Sequence, residues 1–191
     1  MPLISIIEKE AGQLKQHAAK ILELASLERG QVELTKEPTE LNTLIEQRRP
    51  TIELMLRSRE GQLDVQSHEG DLYCELDTVH FNNILVSLAD NAIKYNDKPP
   101  RIVIQTGEQN NMVYLRFSDN GIGIPREYLP YVTDKFFRVP NVKRNGITGF
   151  GLGLSYVKHI VDLHGGEISI SSEEGKGTSV TILLPKAKLH A

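Results

Sequence analysis

Two glycine-rich stretches constrain the fold of this chain more than any other feature of its sequence. The first covers residues 119–125 (DNGIGIP) and the second covers 149–154 (GFGLGL), and the segment between them shows little apolar periodicity. Glycine lets backbone come close to a ligand and adopt a positive φ without a Cβ clash. The second stretch runs into helical sequence, and the free N–H groups at a helix start form an anion site.

The carboxylate of Asp119 follows an apolar strand, so it would stand beside that anion site as a fixed hydrogen-bond acceptor. The phosphates of a purine nucleotide would bind at the anion site, and an amine on its base would donate to Asp119. The two stretches therefore predict a nucleotide pocket.

Composition and charge bound the remaining possibilities. The 191 residues carry a net charge of −3, which gives no general attraction to nucleic acid or anionic lipid. Cys74 is the single cysteine, so no internal disulfide forms. No apolar run approaches the ~20 residues of a membrane span, and no signal peptide is visible. We expect a cytoplasmic chain that is a piece of a longer protein, because helical sequence follows Met1 and Pro2 directly.

Apolar residues recur in alternating steps of three and four at the start of the chain, which is a heptad seam. The seam consists of Ile4, Ile7, Ala11, Leu14, Ala18, Ile21 and Ala25. It predicts a helix that pairs with a partner helix, although an amphipathic helix docked on its own domain fits the same pattern. The helix would stop at Gly30.

The rest of the chain mixes helices with strands. Helices are predicted at 39–59, 77–95 and 151–163, with Thr39 and Asp77 as N-caps and a kink or break at Pro50. Strands are predicted at 31–37, 62–67, 72–76, 101–106, 112–118, 167–172 and 179–184. The last six strands would pair in sequence as three hairpins. This pattern predicts an α+β fold, a two-layer sandwich in which helices pack on one face of a mixed, mostly antiparallel sheet.

One face of the helix at 77–95 carries Asn91, Lys94 and Tyr95 at i, i+3 and i+4. An amide oxygen suits Mg²⁺, which usually keeps waters and substrate phosphates as its other ligands. Lys94 can meet a phosphate as a point charge, and Tyr95 can bond or pack at the ribose or phosphates. The triplet also fits an exposed polar face that binds nothing.

The other motifs are weak when taken singly. Asp-Asn-Gly after a strand is an ordinary turn signal, and 149–154 matches neither a dinucleotide fingerprint nor a P-loop. Phe136 and Phe137 can be core aromatics, or they can anchor a mobile lid over 139–148 with Arg138 reaching a phosphate. Residues 175–178 alone form a plain hairpin turn.

In this order and spacing, however, the motifs resemble the ATP-binding domain of sensor histidine kinases, in the GHKL ATPase superfamily. The family's N, G1, F and G2 boxes and its final glycine motif match 90–95, 119–123, 135–138, 149–154 and 175–178. The first helix resembles the end of the second dimerisation and histidine-phosphotransfer helix. The resemblance implies two domains, at 1–29 and 30–191.

The resemblance also implies residue roles. Asn91 would hold Mg²⁺ between the phosphates, and Asp119 would accept the adenine amine. Lys94 and Arg138 would serve catalysis by contacting phosphate. The remaining expected nucleotide contacts are Tyr95, Gly121, Gly123, Phe137, Gly149, Gly151, Leu152, Gly153, Leu154 and Thr178.

The chain departs from the family pattern at two points. Ser87 stands one helical turn before Asn91, where the family often has Asn and its ATP-hydrolysing relatives have a water-activating Glu. This argues against a hydrolase. In addition, none of His17, His68, His80, His159, His164 and His190 lies in the family's phosphoacceptor motif, which is a helical His followed by an acidic residue and Arg.

The implied function is the catalytic domain of a two-component kinase, which moves the γ-phosphoryl group of Mg·ATP to a histidine outside this chain. We expect it to bind ATP but not to phosphorylate itself. The implied partners are a phosphotransfer helix of the same or the partner subunit and a response-regulator receiver domain. The parent would be a homodimer, with an inner-membrane anchor left open. A degenerate kinase acting as an ATP-binding or docking module, and a structural dimerisation fragment, are the alternatives.

Overall fold

The computed structural model describes residues 33–140 and 150–187, together with the isolated Gly12 and Leu22. The predicted heptad seam, the helix that carries it and the domain boundary after residue 29 lie outside the described residues. So do most of the predicted lid and Gly149. Among the described residues, no helix combines the length and apolar character that a membrane span requires.

A five-stranded sheet forms one layer of the structure. Its strands are β2 (Gln62–Gln66), β4 (Arg101–Gln109), β5 (Met112–Asp119), β6 (Glu167–Glu173) and β7 (Gly177–Pro185). They run in the order β2-β4-β5-β7-β6, with β2 parallel to β4 and every other pair antiparallel. A short antiparallel pair, β1 (Glu37–Glu40) and β3 (Tyr73–Leu76), stands beside this sheet.

Three helices form the other layer, namely α1 (Leu41–Arg57), α2 (Thr78–Lys94) and α3 (Gly153–Leu163), and a 3₁₀ turn spans Arg126–Tyr131. α2 packs between α1 and α3. Alternate strand residues point into the core between the layers, where the buried members of β4, β5 and β7 are Ile102, Ile104, Val113, Leu115, Phe117, Val180, Ile182 and Leu184. The predicted α+β fold, with helices on one face of a mixed sheet, is confirmed.

The predicted pairing of 62–67 with 72–76 is wrong. β2 runs parallel to β4, starting with Gln62 opposite Arg101, whereas β3 pairs with β1. The predicted strand at 31–37 is also misplaced, because β1 begins only at Glu37 and continues through Pro38, where a helix start was expected. Proline is tolerated in such a short edge strand because its missing N–H costs no ladder bond there.

The predicted N-cap Thr39 is wrong by one residue. The carboxylate of Glu40 accepts the N–H groups of Asn42 and Thr43 at 3.1 and 2.6 Å and so caps α1. Of the kink or break predicted at Pro50, the break is absent, since α1 is one continuous helix of 17 residues. Asp77 caps α2 as predicted, because its Oδ1 accepts from Val79 and His80 at 3.1 Å each.

The hairpins β4–β5 and β6–β7 are confirmed, and the first has a tighter turn than predicted. Asn110 and Asn111 both have positive φ, 52° and 60°, and they connect the paired residues Gln109 and Met112. Two consecutive left-handed residues fit a two-residue hairpin, and asparagine tolerates that conformation. This turn lies at the end of β5 opposite to Asp119.

Candidate nucleotide site

A cavity of about 410 Å³ opens between the two layers at the end of β5. Its walls come from the end of α2, the turn after β5, the start of β7 and the start of α3. Phe117 and Val180, which are paired across β5 and β7, contribute to its apolar lining. The other lining residues are Leu88, Asn91, Tyr95, Asp119, Ile122, Gly123, Ile124, Val132, Phe137, Arg138, Val139, Pro140, Gly151, Gly153, Leu154 and Thr178.

Asp119 is the last residue of β5 and supplies the carboxyl group of this cavity. Its Oδ1 accepts the N–H of Gly121 at 2.7 Å and that of Thr178 at 3.3 Å. Burial raises the pKa of Asp119, while these two backbone hydrogen bonds oppose the rise. Both bonds fall on Oδ1, so within the described residues Oδ2 keeps its capacity to accept a bond from a ligand.

Asn91 faces the cavity from the last turn of α2, close to the start of α3. A Cβ placed on Gly153 would lie 3.4 Å from Asn91 Nδ2 and 3.1 Å from Ser87 Oγ. The amide of Asn91 and the buried hydroxyl of Ser87 therefore lie beside the first residue of α3. A ligand that reaches this helix start also comes within reach of Asn91.

The start of α3 lacks the carboxylate cap of the other two helices. Its N-cap residue is Leu152, and no side chain among the described residues bonds to the first-turn N–H groups. The first intrahelical bond runs from Tyr156 N–H to Leu152 O at 3.0 Å. The N–H groups of Gly153, Leu154 and Ser155 precede that bond, which gives this end of the cavity the character of an anion site.

The aromatic segment before the undescribed residues is tied to the glycine stretch. Phe136 has φ +64° and donates its N–H to Gly151 O at 3.0 Å. Gly151 also has positive φ, and a Cβ there would lie 2.4 Å from Phe137 O, so glycine is required. The ring of Phe137 packs against Tyr131, with centroids 5.8 Å apart, and holds this wall in place.

The sequence profile of the family described as "Histidine kinase-, DNA gyrase B-, and HSP90-like ATPase" matches residues 76–188, more than half of the 191 residues. The chain belongs to this ATPase family. Its matched region contains the whole cavity. The predicted membership of this ATPase superfamily is confirmed.

Similar proteins are named sensor histidine kinases or sensor proteins. The sensor histidine kinase YkoH of Bacillus subtilis (strain 168) is 33% identical over 180 residues, which cover 94% of this chain and 38% of that protein. The sensor protein RprX of Bacteroides fragilis (strain YCH46) is 32% identical over 185 residues, covering 96% of this chain and 36% of that protein. The domain is therefore the ATP-binding catalytic domain of a sensor histidine kinase, as the resemblance implied. The chain spans a little over a third of the length of these relatives.

Solved structures have the same fold. Full-length ShkA in complex with AMPPNP aligns with a TM-score of 0.86 at 18% identity, over 100% of this chain and 39% of that one. The histidine kinase ThkA in complex with the response regulator protein TrrA aligns with a TM-score of 0.76 at 25% identity. That alignment covers 97% of this chain and 51% of the ThkA chain.

The structure of this ATPase domain brings most of the predicted site residues together, and the cavity lining includes Asn91, Tyr95, Asp119, Gly123, Phe137, Arg138, Gly151, Gly153, Leu154 and Thr178. Lys94 is not among the lining residues, and its Nζ bonds to Asp90 Oδ2 at 2.5 Å. Gly121 serves the site through its N–H on Asp119, whereas the side chain of Leu152 is buried. Gly149 lies outside the described residues.

Two groups of residues in the ATPase domain were missed at the sequence level. The first is the apolar lining, represented by Leu88 and Phe117, which helix and strand periodicity mark as inward but not as cavity-facing. The second is a polar network behind the walls, made by asparagine and serine side chains. Their occurrence beside the motifs was visible in the sequence, but turn chemistry explains such residues equally well.

The asparagines of this network join the end of α2 to the turn after β5. Asn96 has 0% exposure, and its Nδ2 donates to Asn120 Oδ1 at 2.7 Å. Asn120 Oδ1 also accepts from Arg101 N at 2.7 Å, while Ile122 N–H bonds to Tyr95 O at 2.9 Å. This asparagine clasp, Asn96 with Asn120, holds the wall that carries Asn91 against the wall that carries Asp119.

Proposed function

We propose that this chain binds Mg·ATP in the cavity and donates the γ-phosphoryl group to a histidine on a phosphotransfer helix outside these 191 residues. The observation that carries the proposal is the lining of one cavity by Asp119, Asn91 and the uncapped start of α3. A carboxyl acceptor and an anion site in one cavity match the base and the phosphates of a nucleotide.

At the base end, the 6-amino group of adenine would donate to Asp119 Oδ2. The bonds from Gly121 and Thr178 to Oδ1 fix the carboxyl plane, so the acceptor is oriented before the nucleotide arrives. Guanine presents a carbonyl where adenine presents an amine, and two acceptors facing each other repel. The apolar side chains of Phe117, Ile122 and Val180 would enclose the ring.

At the phosphate end, the N–H groups at the start of α3 would bind phosphate oxygens. Arg138 and Tyr95 line the same cavity, where Arg138 would add positive charge and Tyr95 would pack at the ribose or phosphates. In this structure Lys94 is paired with Asp90, so its predicted phosphate contact requires that pair to open. The predicted contact from Gly149 remains a proposal.

The donor set near Asn91 fits a magnesium ion. The described residues contain no cluster of three His, Cys, Asp or Glu side chains that could hold a metal by themselves. Mg²⁺ does not need one, because one amide oxygen suffices when phosphates and waters supply the other ligands. We assign Asn91 as the protein ligand, with the Ser87 hydroxyl behind it. The ion would neutralise charge on the phosphates.

The chain's own part in transfer is positioning. The base pocket and the start of α3 fix the two ends of the nucleotide, so the γ-phosphoryl group would face the cavity mouth, in line with an incoming imidazole nitrogen. That nitrogen forms the new bond to phosphorus as the bond to the β-phosphate oxygen breaks, and ADP leaves. Ser87 stands where a carboxylate would activate water, which favours transfer over hydrolysis.

The remaining parts of the proposal concern partners. Residues 1–29 would be the end of the second phosphotransfer helix, and 30–191 the catalytic domain. The parent would be a homodimer in which the acceptor helix comes from the same or the partner subunit, and the phosphoryl group would pass on to a receiver domain. The solved complex of ThkA with TrrA supports a response-regulator partner of this kind.

The metal role is tested by titrating the Asn91→Ala variant with ATP in the presence and absence of Mg²⁺. We expect Mg²⁺ to raise the ATP affinity of the wild-type chain by roughly tenfold or more. The variant should bind ATP equally with and without Mg²⁺. Asn82→Ala is the matched control, because Asn82 lies on the same helix but bonds to Arg48 at 3.0 Å. An unchanged magnesium gain in Asn91→Ala would refute the assignment.

Transfer itself is tested by mixing the chain with a separately produced acceptor domain from a related kinase and radiolabelled ATP. Label that appears on the acceptor histidine, and not on the chain alone, is the expected result. Binding of ATP without transfer to any acceptor would instead favour the docking-module alternative.

A further inference from the structure

The hydroxyl of Ser172 on β6 has a full set of three hydrogen-bond partners. Its Oγ lies 2.7 Å from Gly177 O, 2.9 Å from Ile124 N and 2.9 Å from Thr178 Oγ1. A serine hydroxyl offers one proton and two lone pairs. Three partners therefore use every bond that this group can make.

The direction of each of these bonds follows from its partner. Gly177 O can only accept, so Ser172 donates its single proton there, and Ile124 N–H can only donate, so it takes one lone pair. If Ser172 instead donated to Thr178, its oxygen would face the Gly177 carbonyl at 2.7 Å without a proton between them, which is repulsive. The proton between Ser172 and Thr178 must therefore belong to Thr178.

This assignment decides what Thr178 presents to the cavity. Its hydroxyl proton is used by Ser172 and its backbone N–H is used by Asp119 Oδ1 at 3.3 Å. Thr178 lines the cavity beside Asp119, with only lone pairs left on its Oγ1. A free threonine hydroxyl could turn and serve as donor or acceptor, but this one is held as an acceptor.

We propose that Ser172 is a positioning residue for base selection, which fixes the Thr178 hydroxyl as an acceptor beside the acceptor Asp119. A 6-aminopurine has two N–H donors for this edge, directly or through water. A 6-oxopurine carries an acceptor oxygen in place of this amino group, and the Thr178 hydroxyl, held by Ser172, cannot turn to donate to that oxygen. The inference rests on the proposed nucleotide function, and it adds selection against the 6-oxo group.

The test compares ATP with inosine triphosphate (ITP), which has a 6-oxo group and an N1–H but is otherwise the same. In Ser172→Ala the Thr178 hydroxyl becomes free to donate, so we expect the ratio of the ITP Kd to the ATP Kd to fall roughly fivefold, the worth of one hydrogen bond. Ser171→Ala is the matched control, because Ser171 is the exposed neighbour on the same strand. Ser172→Thr keeps the hydroxyl and should restore the ratio.

A merely structural role for Ser172 gives a different outcome. It would weaken ATP and ITP binding equally and leave the ratio unchanged, which overturns the proposal. In a Thr178→Val background, Ser172→Ala should no longer alter the ratio; a fivefold fall there also overturns it. Ser172→Cys, which replaces the hydroxyl by a thiol that accepts hydrogen bonds only weakly, gives a second measurement if Ser172→Ala does not fold. Failure of the wild-type chain to bind ATP at all would refute the nucleotide function instead.

Discussion

The structure places the main functional demand on one residue, Asp119. Its Oδ1 is held by two backbone N–H groups, and none of the residues at 33–140 and 150–187 bonds to its Oδ2 in the partly apolar cavity. Desolvation raises the pKa of this carboxyl, so the charged form that would bind an amine is the form that burial disfavours. A residue of this kind lowers the stability of the empty protein in exchange for recognition.

Replacing Asp119 with Asn should separate the two effects. In the folded protein the pKa of Asp119 is raised above its ordinary value of 3.8. The carboxyl group therefore stabilises the fold relative to the unfolded chain below pH 3.8, where it is protonated, and this contribution is lost as pH rises through the folded pKa. At pH 7 the nucleotide-free Asp119→Asn protein should therefore be more stable than the wild type, and the difference should shrink as pH falls toward 4. Chemical denaturation at several pH values measures it.

The same variant should bind ATP about a hundredfold more weakly, because an amide presents a donor or a weaker acceptor to the adenine amine. Asp134→Asn is the control, since Asp134 is exposed and does not line the cavity. A variant that is less stable than the wild type at pH 7 would contradict this account of Asp119.

At the scale of the elements, the predictions that succeeded rest on local chemistry. Asp77 capped α2 as expected, and both hairpins followed from turn residues between alternating strands. The errors came where a partner far along the chain decides the outcome. Nothing local in 62–66 shows that β2 pairs in parallel with β4, and Glu40 is a rarer cap than the threonine before it.

The candidate site shows the same division. Asn91, Asp119 and the glycines were predictable because their spacing matches family motifs. The apolar lining and the asparagine clasp were not, because a buried amide such as Asn96 is recognised only when its partner Asn120 is known to be adjacent. Sequence alone gives both residues an ordinary role in turns.

Breaking the asparagine clasp should destabilise the junction of α2 with the turn after β5. Asn96→Ala removes the donor to Asn120 and the acceptor of the Lys98 N–H, which lies 2.9 Å from Asn96 Oδ1. We expect a loss of about 2 kcal/mol in the free energy of unfolding, because Asn120 Oδ1 loses one of its two donors and the Lys98 N–H loses its acceptor. Urea denaturation provides the measurement.

The control for this variant is Asn110→Gly. Asn110 is an exposed asparagine in the β4–β5 turn, and glycine accepts its φ of 52°. This change should alter stability by less than ~0.5 kcal/mol. Equal effects of the two substitutions would show that the clasp does not hold the walls together.

At the scale of the whole molecule, one sheet and three helices leave a cavity whose walls come from distant parts of the chain. α2, the turn after β5, the start of α3 and the start of β7 all contribute, so a bound nucleotide would link them. A ligand that binds only the folded state stabilises it in proportion to the logarithm of its concentration over Kd. The described region should therefore respond to nucleotide as one unit.

We expect Mg·ATP at 100 times its Kd to raise the free energy of unfolding by about 2.7 kcal/mol. Thermal denaturation followed by circular dichroism should show one transition that moves upward with ATP concentration. ITP at the same concentration should shift it less, and Asp119→Asn should show little shift with ATP. A shift of equal size with both nucleotides would mean that the base does not enter the cavity as proposed.

The uncapped start of α3 has a consequence for the helix itself. α1 and α2 each hold their first turn with a carboxylate, whereas no side chain in the described part of the chain caps the first turn of α3. The substrate's phosphates would act as the missing N-cap. Secondary structure at this point would then depend on nucleotide supply, and the amide protons of Gly153, Leu154 and Ser155 would exchange with solvent quickly before ATP binds and slowly afterwards.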